Sequence, residues 1–165
     1  MTKTFNVAAV LAAAIAGGAT LAGLSHAQET APAPSATAVT SAEEGTEVTI
    51  YRPQGCGCCD SYAEYLETHG FDVTVVDDMG FVARSIEAGV PAEGVGCHLA
   101  MIEGYAVSGL VPAEIIDRLL EERPGIAGIT LPGMPSNAPG MAPEKTGTLR
   151  VFAFGEDGVS VYSDE

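Results

Sequence analysis

The pattern of apolar and polar positions divides the chain into three unlike stretches. Residues 5–24 form an Ala-rich, largely apolar run behind Lys3. Residues 28–46 are Ala, Pro, Ser, Thr and Glu with no period of either two or 3.6. From Glu47 onward, short apolar runs alternate with turn residues. Val48-Thr49-Ile50-Tyr51 is β-branched and predicts a strand that runs into the turn Pro53-Gln54-Gly55. Tyr62, Tyr65, Leu66 and His69 recur at helical spacing, with Gly70 as the stop. Residues 71–76 predict a second strand. Residues 81–88 predict a short helix ended by Gly89, with Pro91 just beyond. Residues 98–102 and 105–108 predict two further strands, turned through Glu103-Gly104. Pro112 opens a helix whose apolar face is Ile115, Ile116, Leu119 and Leu120. Glu114 in its first turn and Arg123 in its last suit the helix dipole. A Pro/Gly/Met-rich loop spans residues 131–143, and residues 149–154 and 159–162 predict a hairpin turned near Asp157-Gly158.

This order predicts an α/β domain of thioredoxin-like type, β-α-β-α-β-β-α, with an added C-terminal β-hairpin, over residues 47–165. The two leading stretches have other roles. The apolar run ends in Ser25-His26-Ala27, with small residues where a signal peptidase reads, so residues 1–27 are expected to be a secretory signal peptide. An uncleaved membrane anchor is the alternative, but the run is rich in Ala and Gly and only weakly hydrophobic. No Cys follows it, so lipid attachment there is not supported. Residues 28–46 are expected to be a disordered linker. What remains is long enough for one domain with a real core.

Charge narrows the partners. Seven basic residues face 22 acidic ones, a formal net charge of −15. Such a chain repels nucleic acid and anionic lipid. After cleavage no membrane association is expected.

The chemistry is concentrated in cysteine. Four cysteines in an exported protein would ordinarily suggest structural disulfides. Three of these four lie within Cys56-Gly57-Cys58-Cys59, too close together for all to pair in ordinary disulfide geometry. Cys56 and Cys59 form a C-x-x-C between a predicted strand and helix, where a helix N-terminus favours the thiolate. A thiolate is both nucleophile and metal ligand, so position alone does not choose between redox exchange and metal binding. Cys58 bears on the choice. A dithiol oxidoreductase needs two sulfurs, whereas thiolates that bridge soft ions make use of a third, and soft thiolates select copper(I). Cys97, just before the third strand, occupies the place from which a thioredoxin-like enzyme faces its C-x-x-C with a cis-proline. Copper held by Cys56, Cys58, Cys59 and Cys97 is therefore the expected function. A thiol–disulfide oxidoreductase using Cys56 and Cys59, and a structural zinc module, are the alternatives.

Other residues enter as lesser candidates. His98 could be a ligand, or a satisfied polar residue at a strand start. His69 sits near a helix C-terminus. Met134 and Met141 could be brought over the site by their loop, or could fill an apolar gap. Met79 and Met101 are expected in the core. Asp77-Asp78 reads as a turn. His26 leaves with the signal peptide. No catalytic Ser/His/Asp arrangement, P-loop or GxGxxG motif is present, and the pattern leaves open whether the chain is an enzyme.

Several ordered motifs resemble the CopG-like periplasmic copper-resistance proteins. They are Tyr51 with Cys56-Gly57-Cys58-Cys59, Leu66 and Gly70-Phe71; Gly96-Cys97-His98; Gly104-Tyr105; Val111-Pro112-Ala113; and Pro132-Gly133-Met134-Pro135 with Pro139-Gly140-Met141. The likeness covers residues 46–161. It implies a thioredoxin-like fold, a thiolate-bound multinuclear copper site at Cys56, Cys58, Cys59 and Cys97, and copper handling in the periplasm. Copper redox chemistry and another periplasmic copper-handling protein as partner are also implied. The chain departs from the family where it has Tyr62 in place of a frequent Trp, and Tyr65 and Leu110 in place of frequent His.

Overall fold

The computed structural model describes residues 45–165. The expected signal peptide, and the expected linker up to residue 44, lie outside the described residues. The elements are β1 (Thr46–Arg52), α1 (Gly57–Thr68), β2 (Phe71–Asp77), α2 (Phe81–Glu87), β3 (Leu99–Ile102), β4 (Tyr105–Ser108), α3 (Ala113–Glu122), β5 (Gly128–Thr130), β6 (Arg150–Gly155) and β7 (Gly158–Asp164). The α/β expectation holds, and so does its order of elements through α3. The first strand begins at Thr46, two residues before the expected strand at Val48 and one before the expected domain start at residue 47. Among the described residues, no helix is long and apolar enough to cross a membrane.

The strands form one seven-stranded sheet in the order β2-β1-β3-β4-β5-β6-β7. β1 pairs β2 in parallel and β3 in antiparallel. Glu103 and Gly104 both have positive φ, 46° and 90°, as a two-residue turn between β3 and β4 requires. The hairpin β6–β7 closes the far edge. Side chains alternate through the sheet. Val48, Ile50, Ala100, Ile102 and Val107 join the core beneath α1 and α3. Leu99, Ala106 and Phe154 point to the other face, where Ala88 and Val90 after α2 cover them.

α3 carries the predicted apolar stripe, and Ile115, Ile116 and Leu119 are fully buried. Arg123 is not in its last turn. It stands one residue past the helix in the left-handed region (φ 48°) and pairs with Glu103 across the β3–β4 turn. The two tyrosines of α1 key that helix to α3. Tyr62 Oη donates to the Val111 carbonyl at 2.6 Å, and Tyr65 Oη accepts from the Ala113 amide at 3.0 Å. The second bond satisfies one of the amides that a helix start leaves without a partner.

β5 is absent from the sequence reading. It is three residues long, fully buried, parallel to β4 and antiparallel to β6. It joins the hairpin to the rest of the sheet, so the hairpin extends one continuous sheet. The close approach explains Gly128: a Cβ there would meet the Ala106 carbonyl carbon at 2.7 Å and the Phe154 ring at 2.8 Å. Met79 also departs from expectation. It is 79% exposed, because Asp78 turns the chain through bonds to the Gly80 amide (2.7 Å) and the Arg84 guanidinium (2.7 Å), leaving Met79 at the tip. Gly128→Ala is expected to destabilise the protein by about 1–3 kcal/mol through overpacking, read as a lower urea midpoint; an unchanged midpoint would show that β5 is not packed as described.

Candidate metal centre

The site is assembled where β1 ends. The antiparallel register sets Tyr51 opposite Leu99, so the chain leaving β1 lies beside the chain entering β3. Cys56 caps α1, and Cys58 and Cys59 occupy its first turn. Arg52 braces this corner. It is half-buried and reaches Asp60 in α1 at 2.9 Å, Asp77 at the end of β2 at 2.7 Å, and the Pro53 carbonyl at 3.1 Å. Sequence reasoning missed it, since one Arg at a strand end gives no signal.

Cys97 is brought in from the opposite side by two glycines and a serine. Gly96 packs so closely on Gly109 that a Cβ at 96 would lie 2.6 Å from the Gly109 amide nitrogen. Ser108 Oγ accepts from the Gly96 amide at 2.9 Å. The Gly109 amide donates to the His98 carbonyl at 3.2 Å. These contacts fix the backbone on both sides of Cys97.

The sulfurs of Cys56, Cys58, Cys59 and Cys97 consequently lie within 4.8 Å of one another. Cys56 Sγ is 3.5 Å from Cys58 Sγ. Cys59 is wholly buried and its sulfur lies 3.6 Å from the Cys97 carbonyl oxygen. Two sulfurs bound to one ion at ~2.3 Å each lie at most about 4.6 Å apart. The donor set therefore fits soft metal ions with little rearrangement.

One feature was not expected. Cys56 and Cys59 are joined by a disulfide, with a Cα–Cα separation of 5.3 Å, and Cys58 and Cys97 are free thiols. The bonded pair is the C-x-x-C pair that the sequence singles out. A disulfide sulfur has no thiolate charge to give a metal, so four-thiolate ligation first requires two electrons to open this bond, with two protons taken up only where thiols form in place of thiolates. Burial pushes the Cys97 thiol up to about 12, and the neighbouring Cys58 charge and hydrogen bond add to the rise. A bound cation would offset that cost, because ligation replaces the proton.

His98 lies behind Cys97. It is fully buried, its Nδ1 is 3.3 Å from Cys97 Sγ, and its ring packs 4.8 Å from that of Tyr62. Burial lowers its pKa to about 3, so the imidazole is neutral. Nε2 has no hydrogen-bond partner. The neutral ring can donate from Nδ1 to a Cys97 thiolate, which would hold the sulfur in place.

The two loop methionines part company. Met134 Sδ lies 4.0 Å from Cys58 Sγ, at the open side of the cluster. Met141 lines a separate cavity of about 450 Å³ on the outer face of α1, with Ser61, Glu64, Tyr65, Thr68 and His69. None of the four cysteines lines that cavity. His69 is exposed there, with Nδ1 2.8 Å from the Tyr65 carbonyl, so it is remote from the cysteine cluster. Nothing places Asp77 or Asp78 among the sulfurs, and both serve as anchors for arginines.

Fold and site together define a class, a small α/β protein with a cysteine-sulfur cluster suited to a metal ion. Two solved structures align with it, titled "Copper resistance protein copG- Form 1" and "Copper resistance protein copG- Form 2". Each has a TM-score of 0.67 and 33% sequence identity. The alignments cover 74% of this chain and 98% and 99% of theirs. A family model described as "Protein of unknown function, DUF411" matches residues 86–141, about a third of the chain, the stretch that contains Cys97 and Met134. No curated protein matches. With a third of residues identical over nearly all of the relative's length, the chain belongs to the CopG-like family.

Denatured without reductant, the chain is expected to present two reactive thiols, and four after reduction. Four thiols before reduction, counted with a thiol-reactive chromophore, would contradict the Cys56–Cys59 disulfide.

Proposed function

We propose that this chain is a periplasmic copper-binding protein that holds copper(I) on Cys56, Cys58, Cys59 and Cys97, in copper handling or resistance. The scaffold is read as thioredoxin-like, and the site as one that takes more than one ion through bridging thiolates. The carrying observation is the convergence of four sulfurs within 4.8 Å. Copper is favoured over zinc by the sequence adjacency of Cys58 and Cys59. Two neighbouring residues are cramped as ligands of one tetrahedral ion, and bridging several soft ions relieves that strain. The relatives' titles name copper resistance, which supports the same reading. Export to the periplasm rests on the leading apolar run and its small-residue cleavage site. A copper donor or acceptor in the same compartment is the partner this role calls for.

Copper(I) titration of the reduced protein without oxygen tests the reading. Two or more ions per chain are expected, with loss of capacity in Cys58→Ser. Fewer than two ions, or unchanged capacity in that variant, would rule out the multinuclear site. One zinc per chain with unfolding on chelation would instead support a structural zinc module.

The disulfide itself favours a second reading, a thiol–disulfide oxidoreductase working through Cys56 and Cys59. That reading makes Cys58 dispensable. Cys58→Ser would then retain disulfide-reduction activity on a general substrate, and absence of turnover in the unsubstituted protein would remove the reading.

A further inference from the structure

We propose that the disulfide of this site is mobile, and that an internal relay through Cys58 carries it from Cys56–Cys59 to Cys58–Cys97. The activity is intramolecular thiol–disulfide exchange, and its substrate is the chain's own disulfide. It stands on the sulfur geometry of the metal-free protein and does not depend on which ion the site takes.

One distance sets the first step. The free Cys58 Sγ lies 3.5 Å from Cys56 Sγ, one of the two bonded sulfurs. That falls in the ~3–3.5 Å range at which held reactants are poised to react. The Cys58 sulfur attacks Cys56, the Cys56–Cys59 bond breaks, and Cys59 leaves with the bonding electron pair. Cys59 departs within the first turn of α1, where the helix start favours a thiolate. Cys59 is wholly buried, so a thiol from outside cannot attack it, whereas Cys58 already stands in contact with its bonded partner.

Cys97 supplies the second step. Its sulfur is the other free thiol and lies within 4.8 Å of the remaining three. It attacks Cys58 in the transient Cys56–Cys58 disulfide, a Cys58–Cys97 bond forms, and Cys56 leaves. Two sulfur–sulfur bonds are made and two are broken. No oxidant or reductant enters, and the protons of Cys58 and Cys97 end on Cys59 and Cys56. Gly96 packed on Gly109, and the bond from the Gly96 amide to Ser108 Oγ, hold the backbone before Cys97, so the travel falls on side-chain torsions. The outcome is a free C-x-x-C pair at the start of α1 and a new bond tying α1 to the chain that enters β3. The site thus presents its two free thiols in two different places while holding the same number of electrons.

The test uses metal-free protein with its single disulfide intact. The native protein is quenched in acid to stop exchange, unfolded, and alkylated in acid with N-ethylmaleimide. Fragment-ion sequencing then reads which cysteines carry the label. Label on Cys56 and Cys59 in part of the unsubstituted chains, and on Cys58 and Cys97 in the rest, is expected. In Cys58→Ser the relay has no carrier, and label should be confined to Cys97. In Cys97→Ser the relay stops after its first step, so label should be divided between Cys58 and Cys59 and be absent from Cys56. Label confined to Cys58 and Cys97 in the unsubstituted chain would overturn the relay, whatever the variants do. Label on Cys56 or Cys59 in Cys58→Ser would remove Cys58 as the carrier, and label on Cys56 in Cys97→Ser would contradict the order of attack. Copper(I) uptake is measured separately, so failure of the relay leaves the copper reading standing, and failure of copper uptake leaves the relay standing.

Discussion

The pairing of β1 with β3 is the constraint on which the site depends. A single register, Tyr51 opposite Leu99, brings together two segments separated by some forty positions in sequence. One segment carries three cysteines into a helix start, and the other delivers the fourth. A slip of one residue would reverse every side chain of β3 and send Leu99 and Ile102 to the wrong faces. Both are fully buried, in different cores, so the packing on both faces of the sheet holds the register in place. The geometry of four soft sulfurs is therefore maintained by ordinary apolar burial some distance from them.

Around that frame the site has two chemical states that exclude each other. With Cys56 and Cys59 joined, two of the sulfurs are spent on each other and only Cys58 and Cys97 remain as thiols. Even with that bond closed the four sulfurs lie within 4.8 Å of one another, so opening it would leave four donors close together. The same proximity serves both, because a disulfide and a shared metal ion each require the two sulfurs to approach within about 4.6 Å. Burial of Cys97 and the neutral, buried His98 behind it leave little water near the fourth sulfur. An uncompensated thiolate there is costly, and a cation removes that cost.

Much of the frame was legible in the sequence, and the gaps have physical causes. β1 and α3 announce themselves through a β-branched run and an apolar stripe at helical spacing. β5 does not, because Gly128-Ile129-Thr130 is too short to show a period and is a strand only through its neighbours on both sides. The cysteine set was readable from spacing plus topology, since Cys97 becomes part of the site once the third strand is placed next to the first. The bonding of Cys56 to Cys59 was not, since the same spacing serves a disulfide and a metal ligand pair. Met134 and Met141 both follow a glycine in the same loop, and no local signal separates them. What separates them is where Gly133 and Gly140 are fastened. Met79 was misplaced because its hydrophobicity outweighed the turn that Asp78 makes around it.

The hydrogen bonds of Tyr62 and Tyr65 to the chain just before α3 have a wider consequence. They pin α1 at two successive turns against a second helix, and Arg52 clamps its first turn to the sheet. A helix held in this way resists sliding and rotation, so the cysteines at its start are positioned as a unit. The reorganisation that accompanies a change of charge or occupancy is then confined to side-chain torsions and to the solvent-facing lip. Under the copper reading proposed above, a floor fixed in this way would keep that reorganisation energy small.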